Sequence, residues 1–130
     1  MSPELDKKLC DKYPKIFRDR HASMMETCMC WGFETGDGWY WLIDKLCEML
    51  MWDPETGKHL EDPPVATQVK SKYGTLRFYV QSASDPQYAF ISMAEHMSGT
   101  ICESCGTTKD VFQTDGWVRT TCNACETNIR

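Results

Sequence analysis

An α+β fold is predicted for this 130-residue chain from three observations. Apolar residues recur at helical spacing in three stretches, one alternating stretch reverses about Tyr73-Gly74, and two C-x2-C pairs stand near the C-terminus. The expected arrangement is helices around a short antiparallel β-hairpin over residues 1–98. A smaller cysteine-bearing segment, 99–130, packs on that body within the same domain. With 42% hydrophobic residues and five tryptophans, the composition is that of a chain with a core and not of a disordered one.

Ser2 caps the first helix and Pro3 opens it, with Leu5, Leu9 and Tyr13 on one stripe before Pro14 stops it. Residues 13–21 are aromatic and cationic without a clean period. Arg20 is expected to pair with Asp19, Glu26 or another nearby acid, whereas Arg18 is open to such pairing or to an anionic ligand. Residues 28–41 crowd large rings among glycines, which suits a sharply bent loop. Trp31, beside Gly32 and off any stripe, is a candidate for stacking on a base.

Asp37 is expected to cap a central helix over about 38–51, with Trp39, Leu42, Ile43, Leu46, Met49 and Leu50 inward. The amides of Gly36-Asp37-Gly38 form a possible anion nest, for which Asp37 itself is the nearest anion. Eight acids and two lysines between Glu34 and Asp62 read as a solvated face.

The balance then reverses, with three basic residues and no acid in 65–80. A hairpin of 65–72 with 75–80 pairs Val69 with Phe78, Ser71 with Leu76 and Thr67 with Val80 on its core face. On its other face Lys70 meets Arg77 and Gln68 meets Tyr79. Two cations across a ladder repel, so that face needs an anion, either a ligand or an internal acid such as Glu34 or Glu48. Ser84-Asp85-Pro86 starts another helix ending near Ser98-Gly99, with Tyr88, Ile91, Met93 or Ala94, and Met97 inward.

Cys102 and Cys105, followed after sixteen residues by Cys122 and Cys125, have the spacing of a four-thiolate zinc site, closed and structural. Gly106 suits the tight turn after the first pair. Strand-like runs at 111–113 and 117–120 complete a zinc-ribbon pattern of two knuckles and a hairpin, with Trp117 packed between ribbon and body. Disulfides are the competing reading and fit secreted chains better.

A net charge of −5 argues against a sequence-independent grip on nucleic acid. No signal-peptide pattern or membrane span is read, so the expected place is the cytoplasm. Walker-loop, G-x-S-x-G and H-E-x-x-H motifs are absent, and nothing in the spacing of Cys10, Cys28, Cys30 or Cys47 selects them over packed thiols. The chain is therefore expected not to be an enzyme.

The run Tyr13-Pro14-Lys15-Ile16-Phe17-Arg18-Asp19-Arg20-His21, the segment from Glu26 to Glu34 with Gly36-Asp37-Gly38-Trp39, the hairpin from Gln68 to Tyr79, and Met93-Ala94-Glu95-His96-Met97-Ser98 with the closing cysteines together resemble a family of small proteins of tailed bacteriophages and prophages. The likeness covers nearly the whole chain. It implies a phage accessory protein in the host bacterial cytoplasm and supplies no catalytic residues. Family members often carry cysteine where this chain has Thr35, which weakens a second metal site around Cys28 and Cys30.

Three functions follow as expectations. The first is a non-enzymatic binder of a nucleotide-like anionic signal of host defence, using Lys70, Arg77, Arg18 and the rings of Trp31 or Tyr79. The second is an acidic module that occupies a basic groove on a host defence protein. The third and weakest is a zinc-ribbon DNA-binding regulator.

Overall fold

A computed structural model describes residues 1–129, with side chains through residue 127. Among these residues the chain forms four helices and two small sheets. Helix α1 (Pro3–Lys12) starts as its sequence requires, with Ser2 Oγ accepting the Leu5 amide at 3.3 Å and Pro3 in the first turn. Leu9 and Tyr13 are buried. Arg20 is paired, but with Asp6, which accepts from its Nε and Nη2 at 3.0–3.2 Å. Its Nη1 donates to the Cys30 carbonyl at 3.0 Å, so one guanidinium ties α1 to the ring-rich turn.

That turn is not wholly a loop. A 3-10 turn at Cys28–Trp31 leads into β1 (Phe33–Glu34), which pairs in parallel with β2 (Ala66–Lys72). Strand β2 pairs antiparallel with β3 (Thr75–Val80), with Val69 opposite Phe78, Lys70 opposite Arg77 and Gln68 opposite Tyr79, as expected. Val80 pairs with Ala66 and not with Thr67, because a bulge lies between Ala66 and Gln68. The Thr67 carbonyl accepts the Thr27 hydroxyl at 3.1 Å. Both turn residues have positive φ, Tyr73 at 53° and Gly74 at 82°, the pattern of a type I′ hairpin turn.

Helix α2 (Tyr40–Leu50) follows a 3-10 turn at Asp37–Trp39. Its inward stripe is Leu42, Ile43, Leu46, Cys47 and Leu50, while Met49 is exposed. The expectation for Met49 fails because the true stripe advances by one and three residues in turn, which brings position 47 inward and turns 49 out. Asp44 is not on a solvated face either: it is buried and accepts from the Tyr13 hydroxyl at 2.7 Å and Lys12 at 2.9 Å.

Helix α3 (Asp85–Ser98) begins with a capping box, Ser84 and Gln87 each accepting the other's amide. Ile91 and Ala94 face the core, whereas Tyr88 and Met93 are exposed. From α3, Ser98 Oγ accepts the Leu76 amide at 2.8 Å and Glu95 Oε2 accepts the Phe78 amide at 2.9 Å, which covers the outer edge of β3. The core between these elements centres on Trp39, Ile16, Met29, Ile43, Val69 and Leu76. No helix of the described residues is long and apolar enough to cross a membrane.

The second sheet pairs β4 (Val111–Gln113) with β5 (Thr120–Cys122), and α4 (Asn123–Ile129) follows directly. The second strand therefore starts three residues later than expected. The Thr114 amide bonds the Arg119 carbonyl at 2.9 Å, closing a loop that holds Trp117. Trp117 is 88% exposed and does not pack between ribbon and body.

Candidate metal centre and adjoining cleft

The first cysteine pair lies on a tight turn. The Gly106 amide donates to the Cys102 carbonyl at 2.9 Å, and the Cys102 amide donates to the Thr107 carbonyl at 2.9 Å. Gly106 has φ 83°, a conformation that favours glycine. The second pair is built differently from the expected knuckle, since Cys122 ends β5, held in register by Val111, and Cys125 lies in the first turn of α4. The Cys125 amide points at Cys122 Sγ, 3.4 Å away.

The four sulfurs lie within 4.8 Å of one another, and Cys105 Sγ and Cys122 Sγ are 3.7 Å apart. A tetrahedron with metal–sulfur bonds of about 2.3 Å has sulfur–sulfur edges of about 3.8 Å, so the sulfurs can close on a metal ion with side-chain shifts of about an ångström or less. Burial opposes ionisation of Cys102, yet the amides of Cys105, Ser104 and Cys122 bring its thiol down to about 6. Cys125 is pushed up to about 12, first by Cys122 and Cys105. Sulfurs so close cannot all ionise without a cation among them. Four cysteines are thus positioned to bind a metal ion, and four ligands fill a tetrahedral coordination shell.

The residues that seat this centre on the body were not singled out for that role by the sequence. Gly36 and Gly38 donate their amides to Glu103, Gly36 to Oε2 at 2.9 Å and Gly38 to the carbonyl at 2.7 Å. The anion that meets the Gly36 amide is therefore the Glu103 carboxylate, while the Gly38 amide is taken by the Glu103 backbone carbonyl. Asp37 neither fills the nest nor caps α2; its carboxylate accepts the Ser2 amide at 2.7 Å. A Cβ on Gly38 would collide with the backbone of Cys102, Glu103 and Gly106, and one on Gly36 with the Glu103 carbonyl. Trp39 Nε1 donates to the Ile101 carbonyl at 2.9 Å, fixing the segment that enters the turn.

The residues expected to meet an anion are partly brought together. Val69, Leu76 and Phe78 are buried, so Lys70, Arg77 and Tyr79 share the opposite face of the sheet. Glu34 stands beside Lys70 in the parallel register, yet no ion pair within 4.0 Å joins them among the described residues. Among the described residues the Arg77 guanidinium donates only to the adjacent Leu76 carbonyl, at 3.3 Å. Trp31, exposed, precedes β1 by one residue. Arg18 is elsewhere, in an open groove of about 840 Å³ with Lys15, Glu61 and Asp62.

A cleft of about 630 Å³ lies where the hairpin meets the cysteine-bearing segment. Lys70, Ser71, Lys72 and Tyr73 line it from the hairpin, Glu103 and Ser104 from the metal turn, and Trp117 and Arg119 from the loop before β5. Sequence reasoning placed Lys70 on a ligand face but missed Lys72, Tyr73 and Trp117, whose convergence depends on how the two sheets meet.

The remaining thiols are poor nucleophiles where their ionisation is shifted. Burial and Asp6 push Cys10 up to about 12, and burial raises the enclosed Cys47. Comparison with family models, curated proteins and solved structures finds no match.

Proposed function

We propose that this chain is a phage-encoded, zinc-binding accessory protein that acts without catalysis, sequestering a nucleotide-like anionic signal of host defence. The observation that carries the anion-binding reading is the row Glu34, Lys70, Arg77 across the first sheet, two cations against one acid, with no ion pair to either cation among the described residues. On a chain of net charge −5, such a row is a local attractor for a small anion. Arg77 offers a planar fork to phosphate and Lys70 a point charge. Zinc is supported by the soft, tetrahedral donor set, and the phage setting by the family resemblance.

Native mass spectrometry of the protein, before and after incubation with small-molecule extract from phage-challenged bacteria, tests the proposal. The expected result is one zinc per chain and a retained adduct of nucleotide-like mass. The adduct should vanish in a Lys70→Ala, Arg77→Ala variant whose zinc content and melting temperature are unchanged. A bare zinc-loaded mass before and after incubation would overturn sequestration and favour the acidic-module reading.

A further inference from the structure

Two large rings at the cleft serve no visible purpose in folding. Tyr73 is 76% exposed and Trp117 88% exposed, and neither touches another ring among the described residues. Tyr73 also occupies a left-handed backbone conformation, φ 53°, which Asn or Gly fills at lower cost. Strain without a packing return is a mark of functional positions.

The charges around these rings are one-sided. Glu103 is the single acid among the described residues lining the cleft, and its two oxygens are engaged by Ser71 and Gly36 at 2.9 Å each. Arg119 is paired with Glu126 at 3.1 Å. Lys70 and Lys72 remain without an ion pair among the described residues. Lys72 Nζ lies 5.8 Å from the Tyr73 ring centre, so a ring and a cation already share one wall.

We infer that this cleft is a nucleotide seat, in which the planar base stacks on Trp117 and Tyr73 while phosphate meets Lys70 and Lys72. The inference rests on the anion-binding reading above, keeps Lys70, and moves the second phosphate contact from Arg77 to Lys72 and the ring contacts from Trp31 and Tyr79 to the cleft. Base stacking tolerates any base, since each has a π-face, so the ligand class is a nucleoside phosphate. Glu103 and Ser104 belong to the metal turn, which makes the seat dependent on the bound metal.

Isothermal titration of the zinc-loaded chain with ATP, GTP, CTP and UTP tests this, with inorganic triphosphate as the baseless probe. At least one nucleotide should bind more tightly than triphosphate. Trp117→Ala and Tyr73→Asn should each weaken that nucleotide about tenfold or more and leave triphosphate unchanged. Lys72→Ala should weaken both probes. If triphosphate binds as tightly as every nucleotide, or if Trp31→Ala and Tyr79→Ala remove the preference and the cleft variants do not, the seat is wrong and anion binding stands. Absence of binding by all five probes would overturn both.

Discussion

Ser71 and Glu103, 32 positions apart in the chain, meet through a 2.9 Å hydrogen bond in which the serine hydroxyl donates to the carboxylate. The other carboxylate oxygen accepts the Gly36 amide. One side chain thus joins β2, the entry to α2 and the metal turn, and each of its bonds is charge-assisted.

Replacing Glu103 with Ala should therefore destabilise the protein by about 2–3 kcal/mol, since two donors lose a charged acceptor. Glu103→Gln, which keeps one acceptor oxygen, should cost less. Urea unfolding of both variants checks the order: equal losses would show that the neutral oxygen kept by Gln contributes nothing, and a Gln variant as stable as the parent would show that the carboxylate charge has no part.

Gly38→Ala should cost about 3 kcal/mol or more, because the added methyl meets backbone on three sides. Gly57→Ala is the control. Its Cβ would meet nothing within 4 Å, and only its φ of 69° opposes the change, at about 1 kcal/mol. Metal affinity should fall with Gly38→Ala and stay unchanged with Gly57→Ala.

Removal of the metal by a strong chelator, or Cys102→Ser, should lower the melting temperature by on the order of 10 °C, since metal affinity is also folding free energy. Amide exchange should quicken at residues 100–125 and in the entry to α2, which shares hydrogen bonds with the metal turn. Unchanged melting after verified metal loss would contradict a structural role.

Burial opposes the charge of Asp44, but the hydrogen bonds from Tyr13 and Lys12 outweigh it and hold its carboxyl below the ordinary range. A group depressed in the folded state stabilises fully above its unfolded value, near 4, and loses that contribution as pH falls through the folded value. Asp44→Asn should cost about 2 kcal/mol at pH 7. The difference from the parent should shrink below pH 4 in denaturant titrations run across pH, and a constant difference would assign the loss to packing.

What was legible in the sequence was local. Ser2-Pro3, the helix start at Ser84-Asp85-Pro86 and the pairing about Tyr73-Gly74 follow from spacing within a few residues, and the paired C-x2-C spacings disclosed the four cysteines that converge. What failed depends on distant partners. The glycines at 36 and 38 fit a knuckle more than 60 residues later, and no periodicity records that contact. Strand β1 is two residues long and owes its existence to the edge of β2. Trp117 was placed inward on the general tendency of tryptophan to be buried, which its loop overrides.

The capped edge of β3 limits how this protein meets others. With the Leu76 and Phe78 amides already committed to α3, an incoming strand, whether from a second copy or from an extended peptide, loses the two donors it would zip against. Recognition on this side of the molecule leans on side chains, whose identities can change while the scaffold stays the same.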